Sequence, residues 1–323
     1  MSNLAGSGIK INYSIRPAKS VERKMLCELL HYIKSSEDKQ SYRYIGLGAK
    51  YFVDFLLFHN ELGFDKMISI EADEENKLRY DYNKPLKCID LVFGRTNDVL
   101  PTISWNNRER NIVWLDYDGK LDEYMFKDIE FLVNKMCPGS VFLISFNSSF
   151  YDSNDEIGKT RKRLGNYLPR NTTDVTFKST SKRNQLYKNM LNECISNSIA
   201  KRNMFNPNEQ VLYTQLVYFT YKDGAHMTTV GGIIHDEKIQ SCLDFDILSS
   251  KFSFVSSCID KEPNNITVPR LTYKEVQYLL KHMPSEGECV DVLNEVGLDE
   301  KDFKDFLKVY RYYPHFVQAY IAN

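Results

Sequence analysis

Residues 42–71, YRYIGLGAKYFVDFLLFHNELGFDKMISIE, constrain the fold most tightly, because they read in order as strand, glycine turn, helix, strand and terminal carboxylate. Tyr42, Tyr44 and Ile45 form a β-prone run that Gly46 and Gly48 break. Phe52, Phe55, Leu56, His59 and Leu62 then recur at helical spacing until Gly63, and Met67 to Ile70 make a second strand ending on Glu71. Two glycines at a strand-to-helix turn let backbone approach a ligand and aim the helix's first N–H groups outward. An acid about twenty residues later, at the next strand's tip, can accept both hydroxyls of a ribose. A glycine pair can also turn a strand into a helix with no ligand in view; the helix and Glu71 behind this one favour a nucleoside.

The same alternation continues downstream. A polar helix over 73–81 leads to a third strand, 88–93, and then to Gly94-Arg-Thr-Asn97-Asp98. Asn97 or Asp98 is placed either to hydrogen-bond an adenine amine or to cap the helix expected from Val99. Asn111 to Asp116 is the clearest buried strand and runs into Asp116-Tyr-Asp118-Gly. Its tip opens into the crevice where open α/β sheets bind ligands, which makes Asp116 the first suspect for chemistry. Asp118 or Asp122 is the expected cap of the next helix, 121–136. A fifth strand, 141–147, ends in Asn147-Ser148-Ser149. Before the first strand, Val21, Met25, Leu26, Leu29, Leu30 and Ile33 share one face of a helix begun by Pro17. Its other face, with Lys19, Arg23 and Lys24, is either solvated or functional.

The order β-α-β-α-β-α-β-α-β with these strand-tip residues resembles the class I S-adenosylmethionine-dependent methyltransferases over roughly residues 16–235. The phrases RPxKxxERK, YxGLG and WLDYDG are similar to those of bacterial proteins described as "putative O-methyltransferases". The resemblance implies a Rossmann-like doubly wound sheet, mostly parallel, with an antiparallel hairpin at one edge. It also implies S-adenosylmethionine as cofactor, with Gly46 and Gly48 at its methionine part, Glu71 at the ribose, Asn97 and Asp98 near the adenine, and Asp116 facing the methyl group. Tyr44 replaces the acid usual before the glycine loop and Lys50 its third glycine, so the cofactor's amino group is expected to lose a carboxylate partner. That loss also admits a non-catalytic binding or regulatory module. No (D/N)PPY follows the fourth strand, which points away from base amines and toward a hydroxyl acceptor.

Two hydroxyl-directed versions differ in their residues. Metal-dependent O-methyltransferases resemble the chain at Asp116 and Asp118, but Phe146 stands where a further acid belongs, leaving a magnesium site one ligand short, so no metal is expected. Ribose 2′-O-methyltransferases resemble it through Lys24 or Lys19, Asp116, and Lys159 or Lys162, with no evident counterpart for their glutamate. A lysine held between carboxylates would steer a ribose hydroxyl's proton away.

The formal charge of −1 over 323 residues gives no global attraction to nucleic acid or membrane. Residues 159–203 are the exception, with eleven cations against Asp174 and Glu193, an excess of nine. Lys159, Arg161, Lys162, Arg163, Lys182 and Arg183 could track phosphates while Tyr167, Phe177 and Tyr187 stack bases; the duller reading is a solvated lid or insertion, spanning about 155–205. Nucleic acid is therefore the leading expected acceptor, modestly ahead of a small molecule. No secretory leader or membrane-length apolar run is visible, and seven dispersed cysteines suggest reduced thiols, so a cytosolic, non-membrane protein is expected. Asp223-Gly224 between two β runs reads as a hairpin. Residues 236–323 form a mainly helical extension, with a linker at 263–269, a capping box at Thr272 and Glu275, helices through 290–296 and 300–309, and a docking aromatic cluster at 310–316. Residues 1–12 are expected as a loose arm.

Overall fold

The computed structural model describes residues 16–35, 41–106, 109–255, 262–285 and 295–314. Helix α1 (Pro17–Ser35) precedes β1 (Ser41–Gly46), α2 (Val53–Leu62), β2 (Met67–Glu71), α3 (Lys77–Asn83), β3 (Ile89–Phe93), α4 (Thr96–Val99), β4 (Glu109–Lys120), α5 (Glu123–Lys135) and β5 (Ser140–Asn147). Then come α6 (Asn154–Leu164), α7 (Asp174–Lys178), α8 (Thr180–Phe205), β6 (Leu212–Asp223), β7 (Ala225–His235), α9 (Glu237–Cys242) and α10 (Phe245–Lys251). The chain closes with β8 (Asn264–Ile266), α11 (Tyr273–Leu280) and α12 (Glu300–Val309).

All eight strands join one sheet in the order β3-β2-β1-β4-β5-β7-β6-β8. Strands β1 to β5 are mutually parallel, and β7 is antiparallel to both β5 and β6. This is a Rossmann-like, doubly wound sheet with an antiparallel pair, as the sequence led us to expect. After β1 the chain steps outward to β2 and β3, then returns to β4 on the opposite side of β1. That reversal is the switch point above which such sheets bind ligands. Glu71, the last residue of β2, and Asp116, where the pairing of β4 with β5 becomes irregular, thus lie on strands that flank β1 on either side.

Burial on both faces explains the composition of the central strand. Ile112 and Trp114 of β4 pack with α1, α2 and the C-terminal helices, while Val113 and Leu115 pack with α5 and α8. The two-residue period of a strand sends alternate side chains to opposite faces, so a strand covered by helices on both must be apolar throughout. β4 also runs further than expected, to Lys120, with a register shift between Asp116 and Lys120 that loosens its pairing where the cavity begins.

Three local expectations need correction. The stretch expected as a linker contains β8, which pairs in parallel with β6 over Phe219 to Tyr221, so the hairpin is not the sheet's edge. The helix expected from Val99 starts at Thr96, which puts Asn97 and Asp98 inside its first turn, where neither makes a side-chain cap. Asp122 sits at the N-cap of α5 without a side-chain cap bond, and Asp118 lies on the strand instead.

The hairpin behaves as expected, with Gly224 at φ +102°. It does more than turn: the Asp223 carboxylate accepts from Ala18 N at 3.1 Å and Lys19 N at 2.8 Å, capping α1 from a distant part of the chain. The other end of the chain also packs on α1. Lys24 Nζ donates to the carbonyls of Tyr312 and Tyr313, Arg311 pairs with Glu28, and Phe303 and Phe306 enter the core. The cluster at 310–316 docks through Tyr310, Tyr312 and Tyr313; His315 and Phe316, the N-terminal arm and most of 290–296 lie outside the described residues. Among those described, no helix is long and apolar enough to cross a membrane, and the five described cysteines are free thiols.

Candidate active site

A cavity of about 360 Å³ opens above the switch point. Its lining comes from the β1–α2 turn (Gly48, Ala49), the tips of β2 (Glu71) and β4 (Asp116, Asp118), the loop and helix after β3 (Thr96, Asn97), and Arg23 and Asp54 from α1 and α2. Glu71, Asn97, Asp116, Asp118 and Gly48 were expected here from the sequence and share this one space. Gly46, Asp98, Lys19 and Lys24 do not line it.

Each wall has a physical cause. The turn after β1 is tight enough to hold Ala49 and Phe52 at φ +47°, a conformation that costs residues with a Cβ about 1 kcal/mol or more. Gly48 is needed because a Cβ would fall 2.8 Å from Ser69 Oγ and from the Phe52 ring. In its place Gly48 N donates to Ser69 Oγ at 3.1 Å, and that hydroxyl donates to Glu71 Oε1 at 2.7 Å. Burial pushes the Glu71 carboxyl up to about 8, with the Ser69 bond pulling the other way and the Asp54 charge adding to the rise. Gly46 serves packing, since a Cβ there would meet the Tyr44 hydroxyl at 2.5 Å.

Tyr44, which occupies the expected place of an acid, is fully buried and donates its hydroxyl to Asp54. Burial raises the Asp54 carboxyl, and the positive charge of Arg23 opposes that rise. A carboxylate and a guanidinium therefore line the cavity beside the glycine turn although β1 carries no acid. Sequence reasoning missed both. Asp54 lay on a helix read for its apolar positions, and Arg23 on a face that solvation explained equally well.

That basic face is in fact buried at Lys19 and Arg23. Lys19 Nζ lies 2.8 Å from Asp116 Oδ1 and 2.8 Å from Glu22 Oε2, and 4.2 Å from the centre of the Trp114 ring. Glu22 accepts from Thr229, whose hydroxyl is 2.7 Å from Ser145 Oγ, and Trp114 Nε1 donates to Ser145 at 2.9 Å. Lys19 thus stands beneath Asp116, between two carboxylates. Glu22, one turn along from Lys19, had no signal beyond its place in the phrase VERK. Lys24, by contrast, is spent on the C-terminal carbonyls described above.

The opposite wall is a second polar cluster. Asp128, buried on α5, accepts from Thr96 Oγ1, Tyr117 OH and Asn97 Nδ2, and Asn97 Nδ2 also donates to the Tyr124 carbonyl at 3.0 Å. Among the described residues no three His, Cys, Asp or Glu side chains gather as a metal site, and Phe146 is fully buried.

The basic block does not form one surface. Arg183 is buried, donating to the carbonyls of Ser148 at 3.2 Å and Phe177 at 2.6 Å. Arg163 donates to the Leu121 carbonyl, Arg202 to those of Val133 and Met136, and Lys188 is buried against Tyr218. Lys159, Arg161 and Lys178 pair with Asp155, Asp174 and Asp152. Among the described residues, Lys162, Arg170, Lys182 and Lys201 are the block's exposed cations without a hydrogen bond or ion pair.

Several solved structures overlap the chain. Cofactor-bound Rv0187 from MTB matches at 14% identity, covering 67% of this chain and 80% of that one with a TM-score of 0.37. Trm1 from Pyrococcus horikoshii with S-adenosyl-L-methionine matches at 9%, covering 67% and 55%, TM-score 0.45. The O-methyltransferase TomG from Streptomyces achromogenes, in complex with SAM, matches at 12%, covering 71% and 94%, TM-score 0.38. At these scores the strand order, not the overlap, defines the architecture. No curated protein matches the chain. The family described as "Putative O-methyltransferase" matches residues 11–321, nearly the whole length, and the chain belongs to that family.

Proposed function

We propose that the protein transfers a methyl group from S-adenosylmethionine to a hydroxyl oxygen. The observation that carries this reading is that Arg23, Asp54, Glu71 and Asp116 line one cavity above the switch point. The donor set fits the cofactor's parts. Asp54 and Arg23 present opposite charges for an ammonium and a carboxylate, replacing the partner that Tyr44 removes from β1. Glu71, with one oxygen held by Ser69, accepts from the ribose hydroxyls, and the Asn97 wall meets the adenine. Two of the overlapping proteins are described as complexes with the same compound.

The bound cofactor supplies an electrophilic methyl group on a sulfonium. Asp116 faces that part of the cavity and takes the acceptor hydroxyl's proton as the oxygen becomes nucleophilic. Lys19, paired at 2.8 Å, fixes the Asp116 carboxylate and balances its charge, and Asp118 stands at the rim to orient the acceptor. A positioned base of this kind contributes on the order of 10²-fold or more.

A small hydroxylated molecule suits the site better than nucleic acid, because most of the basic block is spent on carbonyls and local acids. Incubation with methyl-labelled S-adenosylmethionine and, in parallel, a metabolite extract and total RNA tests both halves. Label in a small product, lost in Asp116→Ala, is expected. Label in RNA would reverse the choice of acceptor, and no label in either would leave methyl transfer unsupported.

A further inference from the structure

Asp128 is an anomaly of the fold. It is buried at 1% exposure and does not line the cavity, and among the described residues no cation pairs with it. For stability alone an apolar side chain on α5 would cost less than a carboxyl group taken out of water. Three neutral donors converge on it instead: Thr96 and Tyr117 on Oδ2, and Asn97 on Oδ1. The Tyr117 and Thr96 hydroxyl oxygens lie 3.3 Å apart, so the two donors and Asp128 Oδ2 form a triangle under the cavity wall.

The consequence falls on Asn97. An asparagine amide has two protons and one carbonyl oxygen, and either end can face a ligand unless its surroundings decide. Here Nδ2 spends one proton on Asp128 and the other on the Tyr124 carbonyl. Both partners accept only, so a flipped amide would set oxygen against oxygen at two places. The side chain lines the cavity and has only Oδ1 left to offer it.

We infer that Asp128 is a positioning residue that locks the Asn97 amide with its oxygen toward the cavity, so that the wall selects a base bearing an exocyclic amine and rejects one bearing an oxo group. This rests on the cofactor reading above and adds to it a residue, outside the cavity, that sets base specificity. The amine of an adenine ring donates to Oδ1. The oxo group of a hypoxanthine ring at the same place meets a second acceptor, and the site cannot rotate to relieve it.

Calorimetric titration with S-adenosylhomocysteine and S-inosylhomocysteine tests this, because the two differ at that group and at the adjacent N1, and the variants at Asn97 and Asp128 separate the part of the ratio that the amide sets. The wild-type protein should bind the adenosyl compound about 10- to 100-fold more tightly, the range expected when a half-buried acceptor loses its donor. Asp128→Asn replaces one of the two acceptors by a group that can also donate, so the ratio should fall several-fold while the Tyr124 carbonyl keeps part of the lock; Asn97→Ala, which removes the amide itself, should bring it to within about threefold. If Asp128→Asn fails to fold, Asp128→Ser replaces it. A purely structural role for Asp128 would weaken both ligands equally and keep the ratio, which would overturn the inference, as would a wild-type ratio near one. If neither compound binds the wild-type protein, the cofactor reading itself falls, and this inference with it.

Discussion

The two polar regions of this molecule are built on opposite terms. Around the switch point, carboxylates and a guanidinium are brought to the wall of one cavity: Glu71 is held by Ser69 and by the backbone of the glycine turn, and Asp116 by an ion pair with Lys19. In residues 154–205 most of the cations are used up by the protein itself, Arg183, Arg163 and Arg202 on backbone carbonyls and Lys159, Arg161 and Lys178 on nearby acids. Local charge in a sequence is thus a poor guide to charge on a surface. The block that dominates the composition holds helices in place, while single acids at strand tips form the site.

The largest expected effect sharpens that contrast from the cavity side. Lys19→Met strands Glu22 and Asp116 as buried or half-buried like charges and should destabilise the fold by about 3–5 kcal/mol in urea denaturation. A loss under about 1 kcal/mol would mean that Lys19 is not the counter-ion the geometry makes it. Next, Glu71→Ala removes the ribose acceptor and should weaken S-adenosylhomocysteine about 100-fold by calorimetry, with little change in melting temperature. Unchanged affinity would place the ribose elsewhere.

From the other region, Arg183→Ala frees the Ser148 and Phe177 carbonyls and should cost about 2 kcal/mol of stability. An Arg183 that bound nucleic acid instead would lower nucleic-acid affinity and leave stability alone. A pH effect comes next. With its carboxyl raised to about 8 in the folded protein, Glu71 is protonated at neutral pH, so its contribution to stability is full below the ordinary carboxylate range and is lost as pH rises through about 8. Ribose hydroxyls donate to the ionised form, so binding at pH 7 should release a proton, and affinity should rise with pH by up to about tenfold per unit until near 8. Calorimetry in buffers of different ionisation heat reads the released proton. Its absence, or its persistence in Glu71→Gln, would assign the titration to another group. The smallest effect is expected from Lys162→Glu with Lys182→Glu, within about 0.5 kcal/mol in stability and without change in RNA binding across salt concentrations. A steep, salt-dependent loss would restore nucleic acid as the partner.

Much of this architecture was legible from residue pattern. The strand and helix periods of 42–71 and 111–147 fixed the parallel half of the sheet, and the acids at their ends marked the crevice. What periodicity could not carry was any group whose role depends on a partner distant in sequence. Asp54 needs Tyr44 across the turn, Glu22 needs Thr229 on the hairpin, and Asp128 needs Asn97 from the far side of β4. Strand β8 was hidden for a related reason: three residues between prolines carry no alternation, and only pairing with β6 makes them a strand. The face of α1 was misjudged because lysine and arginine on an amphipathic helix look the same whether they meet water or a carboxylate.

The most direct test of the account is calorimetric titration of S-adenosylmethionine into the wild-type protein. One site per chain with a dissociation constant below about 100 µM is expected, since the cavity offers charged partners to both ends of the amino-acid part and an acceptor to the ribose. No heat of binding at millimolar ligand would contradict it, and would leave this sheet with its carboxylates facing a cavity made for something else.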